Sequence, residues 1–381
     1  MPTTTAGPDP LILALNSGSS SLKFGLFRKG DQGEELVLSG SADGIGREDG
    51  QFTILDQAGN PLVQQDHVTE TQEDALSKLA EQIHSQGDFE IGAVGHRIVH
   101  GGPRLRTHQL ITDSVVQQLE QATHFAPLHI PMALALLSEA RKIFPDAPHF
   151  ACFDTAFHLT LSTVAKHFAL PSQYFDEGLF RYGFHGLSYE SIVERLGASL
   201  PARAVFAHLG NGSSLCCIHN GISIDTTMGF TPTGGIPMST RSGDLDPGAL
   251  LYLMRTHDLS ADDLENVLNK ESGLAALSGG ESDMRALLQK ADEGDATSTL
   301  AVDSFTTAIR KVIGGYAALM DGIDLVVFTG GIGEHSAAIR NAICNNLMFL
   351  GLTADKITVL PAEEDVQIAR HCRSMLASQP A

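Results

Sequence analysis

The sequence predicts an α/β protein built as two related domains. Three observations point there. The chain has 381 residues, more than one simple core comfortably encloses. Short apolar strand candidates alternate with segments of helical periodicity, the pattern of a layered α/β architecture. A strand, a turn of small polar residues and a second strand occur first from Leu11 and again from Ala204, as an ancient duplication with one copy per domain would leave them.

The elements follow in order. Met1–Pro10 reads as a lead-in, lacking the basic stretch and apolar run of a signal peptide. Leu11–Leu15 is a short strand, Asn16–Ser21 a polar turn and Leu22–Phe27 the returning strand. Pro131–Phe144 is apolar on one face and opens with Pro, which suits a first helical turn. Ala204–Leu209, Gly210–Ser214 and Leu215–Ile218 repeat the strand–turn–strand unit. Thr226–Gly248 fits neither element. It is rich in Gly, Pro, Thr and Ser, carries Arg241, Asp244 and Asp246, and has Met228, Phe230, Ile236 and Met238 as apolar anchors. An anchored loop of that length in a compact domain points to function. Asp246-Pro247 reads as N-cap and first turn of a helix through Met254. Apolar residues recur at helical spacing from Val302 to Met320. A strand over Leu325–Phe328, a turn over Thr329–Gly333 and a helix from about Ser336 follow.

Composition removes several classes of function. The formal charge is -20, from 25 Lys+Arg against 45 Asp+Glu. Such a chain is a poor general binder of nucleic acid or of anionic membrane, and no apolar run has the length of a membrane span. An anionic substrate would be repelled by the whole and must be held by a local cluster of cations. The Cys number 5, with no CxxC pair, which argues against a disulfide framework or structural zinc and for a reducing cytoplasm. The 16 His form no HExxH motif, and His158, His208 and His219 read as structural.

Three turns of small residues, Ser19–Ser21, Gly210–Ser214 and Thr329–Gly333, could bring backbone N–H groups and hydroxyls against phosphate oxygens, with Lys23 just past the first. Each alone reads more readily as an ordinary hairpin turn, whereas the three together point to nucleotide phosphates; none is GxxxxGK[ST], so this is no P-loop. Arg97, His185 and Arg241 are wrapped in Gly and apolar residues, a setting of partial burial that demands an anionic partner. That partner is a ligand or a structural Asp or Glu. Asp154 follows a short apolar stretch at an expected strand end, where ligand sites of α/β sheets gather. It and Glu363 or Glu364 are candidates to hold Mg²⁺ beside phosphates. The alternatives are a turn residue for Asp154 and a solvated helix start for the Glu pair.

Taken together, the segments resemble the acetate kinase family. The matching stretches are Leu13–Lys23, Gly95–Gly102, Ala126–His129, Phe153–His158, Tyr182–Gly186, His208–Gly212, Thr240–Pro247 and Thr329–Glu334, in the family's order from about Leu11 to Arg370. The resemblance implies two ribonuclease-H-like domains of the actin, sugar-kinase and heat-shock-ATPase type with a cleft between them. It implies an acceptor and phosphate domain over 1–154, with 361–381 packing back on it, and a nucleotide-binding domain over 155–360. The reaction implied is reversible phosphoryl transfer from ATP to acetate with Mg²⁺ (or Mn²⁺), in a cytoplasmic homodimer.

By the same resemblance, Asn16 and Glu363 are metal-site residues, and Arg97 and Arg241 clamp acetate and the transferring phosphoryl group. His185 stabilises that group, His129 supports it, and Asp154 orients the arginine and a metal-bound water. Ser19, Ser21, Lys23, His208, Gly210, Asn211 and Gly212 cradle phosphates; Asp283, Arg285, Gly331, Ile332, Gly333 and Glu334 face the nucleoside. Val99, Leu128, Phe184 and Pro232 enclose the methyl group. Pro361-Ala362 departs from the family's Thr-Asn before the Glu pair, which leaves Glu363 and Glu364 both open as the ligand. The family also contains propionate and butyrate kinases, and GTP or pyrophosphate is an open donor. A sugar kinase of the same fold would use Asp154 as a base and need a polar acceptor pocket, which Val, Leu, Phe and Pro do not make. A non-catalytic nucleotide switch would not need two Arg for the γ-phosphate.

Overall fold

In the computed structural model the described residues are 10–18, 21–31, 33–66, 69–86 and 89–378. Of the lead-in expected over Met1–Pro10, all but Pro10 lies outside them. The chain divides into two compact units, Met1–Ala156 with Glu363–Ala381, and Phe157–Ala362.

Unit 1 contains β1 (Leu11–Ser17), β2 (Ser21–Gly30), β3 (Gly33–Asp43), β4 (Gln51–Asp56), β5 (Pro61–Asp66), β6 (Ile91–Ile98), β7 (Gln109–Leu110) and β8 (His149–Phe153). Its helices are α1 (Gln72–Gln86), α2 (Asp113–Gln121), α3 (Ile130–Ile143) and, from the chain's end, α14 (Glu364–Ala377). The sheet runs β5-β4-β3-β2-β1-β6-β8-β7. The predicted hairpin is present, with Leu15 opposite Phe24 and Asn16 opposite Lys23. Every residue of β8 is buried, as its uninterrupted apolar run implies. Leu13, Phe24, Phe52 and Val94 pack with Leu76 and Leu79 of α1 and Leu136 of α3. The α3 helix begins at Ile130, so Pro131 sits inside its first turn, where no backbone donor is lost. At Gly95 a side chain would strike Ile368 and Cys372 of α14, so glycine is what lets the last helix lie on the sheet.

Unit 2 contains β9 (Arg203–Leu209), β10 (Ser213–His219), β11 (Ile222–Thr226), β12 (Leu325–Thr329) and β13 (Ile357–Val359). Its helices are α4 (Thr163–Lys166), α5 (Ser172–Asp176), α6 (Gly186–Leu196), α7 (Pro247–His257), α8 (Ala261–Lys270), α9 (Gly273–Ser278), α10 (Met284–Asp292), α11 (Ala296–Leu319), α12 (Gly330–His335) and α13 (Ala337–Cys344). The sheet runs β11-β10-β9-β12-β13. The β9, β10 and β11 strands pair antiparallel, while β12 joins β9, and β13 joins β12, in parallel. Within unit 1, β3-β2-β1-β6-β8 has the same order and the same directions. The two units are one ribonuclease-H-like pattern used twice, as the repeated strand–turn–strand unit predicts.

The long helix α11 buries Val302, Phe305, Ile309, Ile313 and Tyr316, the predicted stripe, among Val205, Leu209, Val326 and Phe328. It starts earlier than the apolar period does, because Asp295 caps it by accepting from the Ser298 N–H at 2.8 Å. The turn expected over Thr329–Gly333 is instead the start of α12. Gly330 takes φ 76, and its N–H donates to Glu334 Oε1 at 3.0 Å, closing a helical turn that glycine content argued against. Between β11 and α7, residues 227–246 form neither helix nor strand, as expected. Of its expected apolar anchors, Met228, Ile236 and Met238 are fully buried and Phe230 is partly buried. Asp244 pins it, its Oδ1 accepting from Gly235 N–H at 2.7 Å while its own N–H donates to Gly235 O at 2.8 Å.

Candidate active site

In unit 1 the chemistry gathers at the ends of β1, β6 and β8. Arg97, on β6, donates from Nε and Nη2 to Asp154 at 2.8 and 2.6 Å, and from Nη1 to Asn16 Oδ1 at 2.8 Å. Asp154 directly follows β8 and is 1% exposed, its N–H donating to Ile98 O. Glu364, the first residue of α14, lies 3.4 Å from Arg97 Nη1 and accepts from Asn16 Nδ2 at 2.9 Å. The same Asn16 amide donates to Asp365 at 3.1 Å. Burial works against the charge on Arg97, but Asp154 and then Glu364 outweigh it and raise its pKa. Burial, reinforced by Glu364, pushes the Asp365 carboxyl up to about 6 against the hydrogen bond from Asn16.

A guanidinium has five donors. The bonds to Asp154 and Asn16 leave Arg97 capacity for a further anion. That capacity adjoins a small recess lined by Ser17, Gly18, Arg97, Val99, His129 and Met132, among others. Three predicted site residues, Arg97, Val99 and His129, thus meet in one place, cation and imidazole beside an apolar wall. Leu128 is adjacent in sequence and 38% exposed. Ser21 begins β2, its carbonyl accepting from Gly18 N–H at 2.8 Å, and Lys23 is an exposed residue of that strand. Ser19 lies outside the described residues.

In unit 2 the site is built on turns. His185 stands before α6 in the left-handed region, φ 57 and ψ 24, an unusual conformation for a residue with a side chain. Its Nδ1 is 2.9 Å from Ser214 Oγ, and its ring stacks on His208 with centroids 4.1 Å apart. His208 Nδ1 lies 2.9 Å from Ser188 Oγ. The Gly210–Gly212 turn is closed by Gly210 N–H donating to Gly212 O at 3.1 Å. A Cβ at Gly212 would stand 3.4 Å from both His185 Nε2 and Arg241 Nη1, so this bare backbone borders both the imidazole and the guanidinium. Arg241 Nη1 donates to Pro232 O at 3.2 Å. Ser239 N–H and hydroxyl reach Asn211 at 3.3 Å. Phe184, beside His185, is buried, and its carbonyl is 3.0 Å from His158 Nε2.

The predicted nucleoside residues divide. Gly331 has open space where a side chain would go, and Gly210 lies near its N–H. Ile332 is partly buried against the core, and Gly333 is buried. Glu334 accepts from Gly330 N–H at 3.0 Å, at the start of its own helix, and from Ala362 N–H at 3.1 Å, which ties that helix to the segment after β13. Asp283 caps α10 and pairs with the exposed Arg285 at 3.2 Å. The structural reading of His158 is met: Nδ1 is 2.8 Å from Ser223 Oγ, and burial holds its pKa down at about 4.

Two features escaped sequence reasoning. Asp365 shares the Asn16 amide with Glu364, yet an acidic helix start reads as solvated until the sheet it packs against is known. Ser214 engages His185 and Tyr189 engages Ser214, and the only hint was that Tyr189 follows His185 at helical i,i+4 spacing.

The acetokinase family model matches residues 11–374. An acetate kinase of Bacillus cytotoxicus is 39% identical, covering 94% of this chain and 97% of its own length. One from Methylocella silvestris is 40% identical, covering 97% and 99%. Among solved structures, Porphyromonas gingivalis acetate kinase superposes with a TM-score of 0.84 at 32% identity, covering 96% of this chain and 100% of its own. A propionate kinase from Francisella tularensis gives 0.87 at 31% identity, covering 95% and 98%. With the family's pattern spanning nearly the whole length, this chain belongs to the acetokinase family.

Proposed function

We propose that the protein transfers a phosphoryl group reversibly between ATP and acetate, forming acetyl phosphate and ADP. Unit 1 serves the acceptor, the metal and part of the phosphate chain, and unit 2 the nucleotide. The observation that carries this reading is the recess of Arg97, Val99 and His129. A short carboxylate with an apolar tail matches a guanidinium and an imidazole set beside a hydrophobic wall. Leu128, Phe184 and Pro232 are the other proposed neighbours of the methyl group.

Acetate is ionised at neutral pH, so the reaction needs no general base. Its difficulty is bringing one anion against a polyanion, which cations and alignment overcome. Arg97 binds the carboxylate, and Asp154 orients Arg97, since both of its oxygens accept from that guanidinium. Arg241 and His185, bordering the same glycine turn, hold the transferring group. Ser19, Ser21, Lys23, His208 and Asn211 hold the remaining phosphates, and Gly331 leaves room for the nucleoside with Asp283, Arg285, Ile332 and Glu334. Sugar phosphorylation needs a free carboxylate base; the Asp154–Arg97 pair speaks against it.

Mg²⁺ fits the donor set of unit 1. Asp154, Glu364 and Asp365 place more carboxylate near Arg97 than one guanidinium neutralises, and all ligands on offer are oxygen, the choice of a hard cation. Asn16 and the half-buried Glu363 are the proposed ligands, with Glu364 holding Asn16 and Arg97 in register. The ion would supply charge neutralisation at the phosphates. Manganese could replace it.

Hydroxylamine trapping of acyl phosphate, with acetate, propionate and butyrate against ATP, GTP and pyrophosphate, tests the reading. Acetate-dependent turnover with ATP is expected. The likeness to a propionate kinase favours propionate as the second acceptor, and a preference for it would reassign the substrate within the same reaction. We further expect a cytoplasmic homodimer. All five cysteines are buried free thiols, which suits a reducing compartment. No helix among the described residues is long and apolar enough to cross a membrane. The α7 helix has no buried residue and exposes Leu251 and Tyr252, so Tyr252→Glu is the first substitution to test by sedimentation.

A further inference from the structure

We infer that Ser214 and Tyr189 are positioning residues for His185, fixing which ring nitrogen it presents to the transferring group. The inference rests on the reading above that His185 faces that group.

The three side chains form one line inside unit 2. Tyr189 Oη is 2.5 Å from Ser214 Oγ, and Ser214 Oγ is 2.9 Å from His185 Nδ1. Tyr189 and Ser214 are fully buried, and His185 is 8% exposed. The far nitrogen, Nε2, borders Gly212 beside Arg241. Ring orientation is set from three sides. The left-handed backbone before α6 aims the side chain, at a cost the surrounding structure must offset. His208 stacks on one face with an interplanar angle of 15°. Ser214 holds the Nδ1 edge.

Hydrogen-bond direction then fixes the tautomer. A phenol is a stronger acid than an alkyl hydroxyl, so Tyr189 donates to Ser214. Ser214 retains its own hydrogen, which it gives to Nδ1. With Nδ1 accepting, the neutral imidazole carries its proton on Nε2, the edge beside Arg241, and can donate to an anionic phosphoryl oxygen. If the ring becomes imidazolium as the anion binds, Ser214 can turn and accept from Nδ1–H, and Nε2–H stays in place. No proton is transferred to substrate in either state. The hydroxyl pair ensures that Nε2 is a donor rather than a lone pair repelled by phosphate. The ionisable groups around this line include Arg241, His208, Tyr316, Cys216 and the buried His158, which lies edge-on to Tyr189 at 5.9 Å.

The test uses the full chain and compares His185→Ala, Ser214→Ala, Tyr189→Phe and the double variant Tyr189→Phe/His185→Ala. Tyr189→Phe keeps the buried ring and isolates the hydroxyl. Ser214→Ala is expected to lower kcat on the order of 10–100-fold, and Tyr189→Phe by less, with KM for acetate and ATP little changed. The pH profile of kcat should shift, and adding Tyr189→Phe to His185→Ala should cost nothing more. Nitrogen NMR of histidine-labelled protein should show the Nε2–H form of His185 in the wild type and a mixture in Ser214→Ala. Wild-type kcat, pH profile and tautomer in Ser214→Ala and Tyr189→Phe, alongside an impaired His185→Ala, would overturn the positioning role while leaving the proposed function standing. Full turnover in His185→Ala would overturn the role given to His185 itself, and the inference with it.

Discussion

The two units share one strand order yet equip it in opposite ways. Unit 1 places its cation on a strand: Arg97 sits on β6 and is locked by Asn16 of β1, Glu364 of α14 and Asp154 just past β8. Unit 2 places His185 and Arg241 off the strands, at a helix entry and in a long loop around the Gly210–Gly212 turn. The same scaffold therefore supports a side-chain charge network in one copy and a backbone-lined turn in the other. The first should be rigid and essential to the fold, the second essential chiefly to turnover.

Arg97→Leu and Arg241→Leu press hardest on that difference. Each is expected to lower kcat on the order of 10²–10⁴. Arg97→Leu should also destabilise unit 1 by about 3–5 kcal/mol, because it strands buried carboxylates. Urea unfolding followed beside kinetics checks this. Equal losses of stability in the two variants would erase the contrast.

Acid probes the buried histidines. His158 in unit 2 has a folded pKa of about 4 against 6.5 unfolded, chiefly from burial. In unit 1, His96 and His149, 2.9 Å apart, are lowered too, burial again first. The folded state binds fewer of these protons. Their stability is therefore intact above pH 6.5 and is lost as pH falls towards the folded values. For His158 the loss is about 3 kcal/mol. A His158→Gln chain should show a shallower decline in urea midpoint from pH 6.5 to 4; an unchanged slope would assign the acid sensitivity to unit 1.

Asp154→Asn separates orienting from proton transfer. It weakens the Arg97 lock beside the proposed metal ligands, so the Mg²⁺ needed for half-maximal rate should rise about 10–100-fold. Excess Mg²⁺ should restore part of the rate. A shifted pH profile with an unaltered Mg²⁺ response would instead make Asp154 a base.

Val99→Ala carries the smallest effect. One methylene is worth roughly 10–200-fold in discrimination. Wild type should prefer acetate over propionate within that range, and the variant should narrow the ratio mainly through KM for propionate. Unchanged ratios of kcat/KM would move the methyl pocket away from Val99.

Much of this was legible in the sequence, and unevenly. The β1–β2 and β9–β10 hairpins, the α11 stripe and the burial of Arg97 all follow from local pattern. So does Asp154 at a strand end. What pattern could not supply were contacts across hundreds of residues, such as Asn16 with Glu364. Helix α12 was missed because its start depends on a carboxylate four residues on rather than on propensity. The Ser214–His185 contact joins a strand to a helix entry, and neither residue signals the other in sequence.

The return of α14 to unit 1 has a consequence for how the protein is made. Unit 2 lies wholly inside the chain of unit 1, so a ribosome completes it first. The sheet of unit 1 then waits, its Gly95 face bare and Arg97 short of Glu364, until α14 emerges. Arg373, bonded to Glu34 at 2.8 Å, ties the final helix to one of the earliest strands. A nascent or C-terminally clipped chain would thus carry a finished unit 2 and an open, sticky sheet in unit 1, leaving the late closure of unit 1 as the step where chaperones and proteases can intervene.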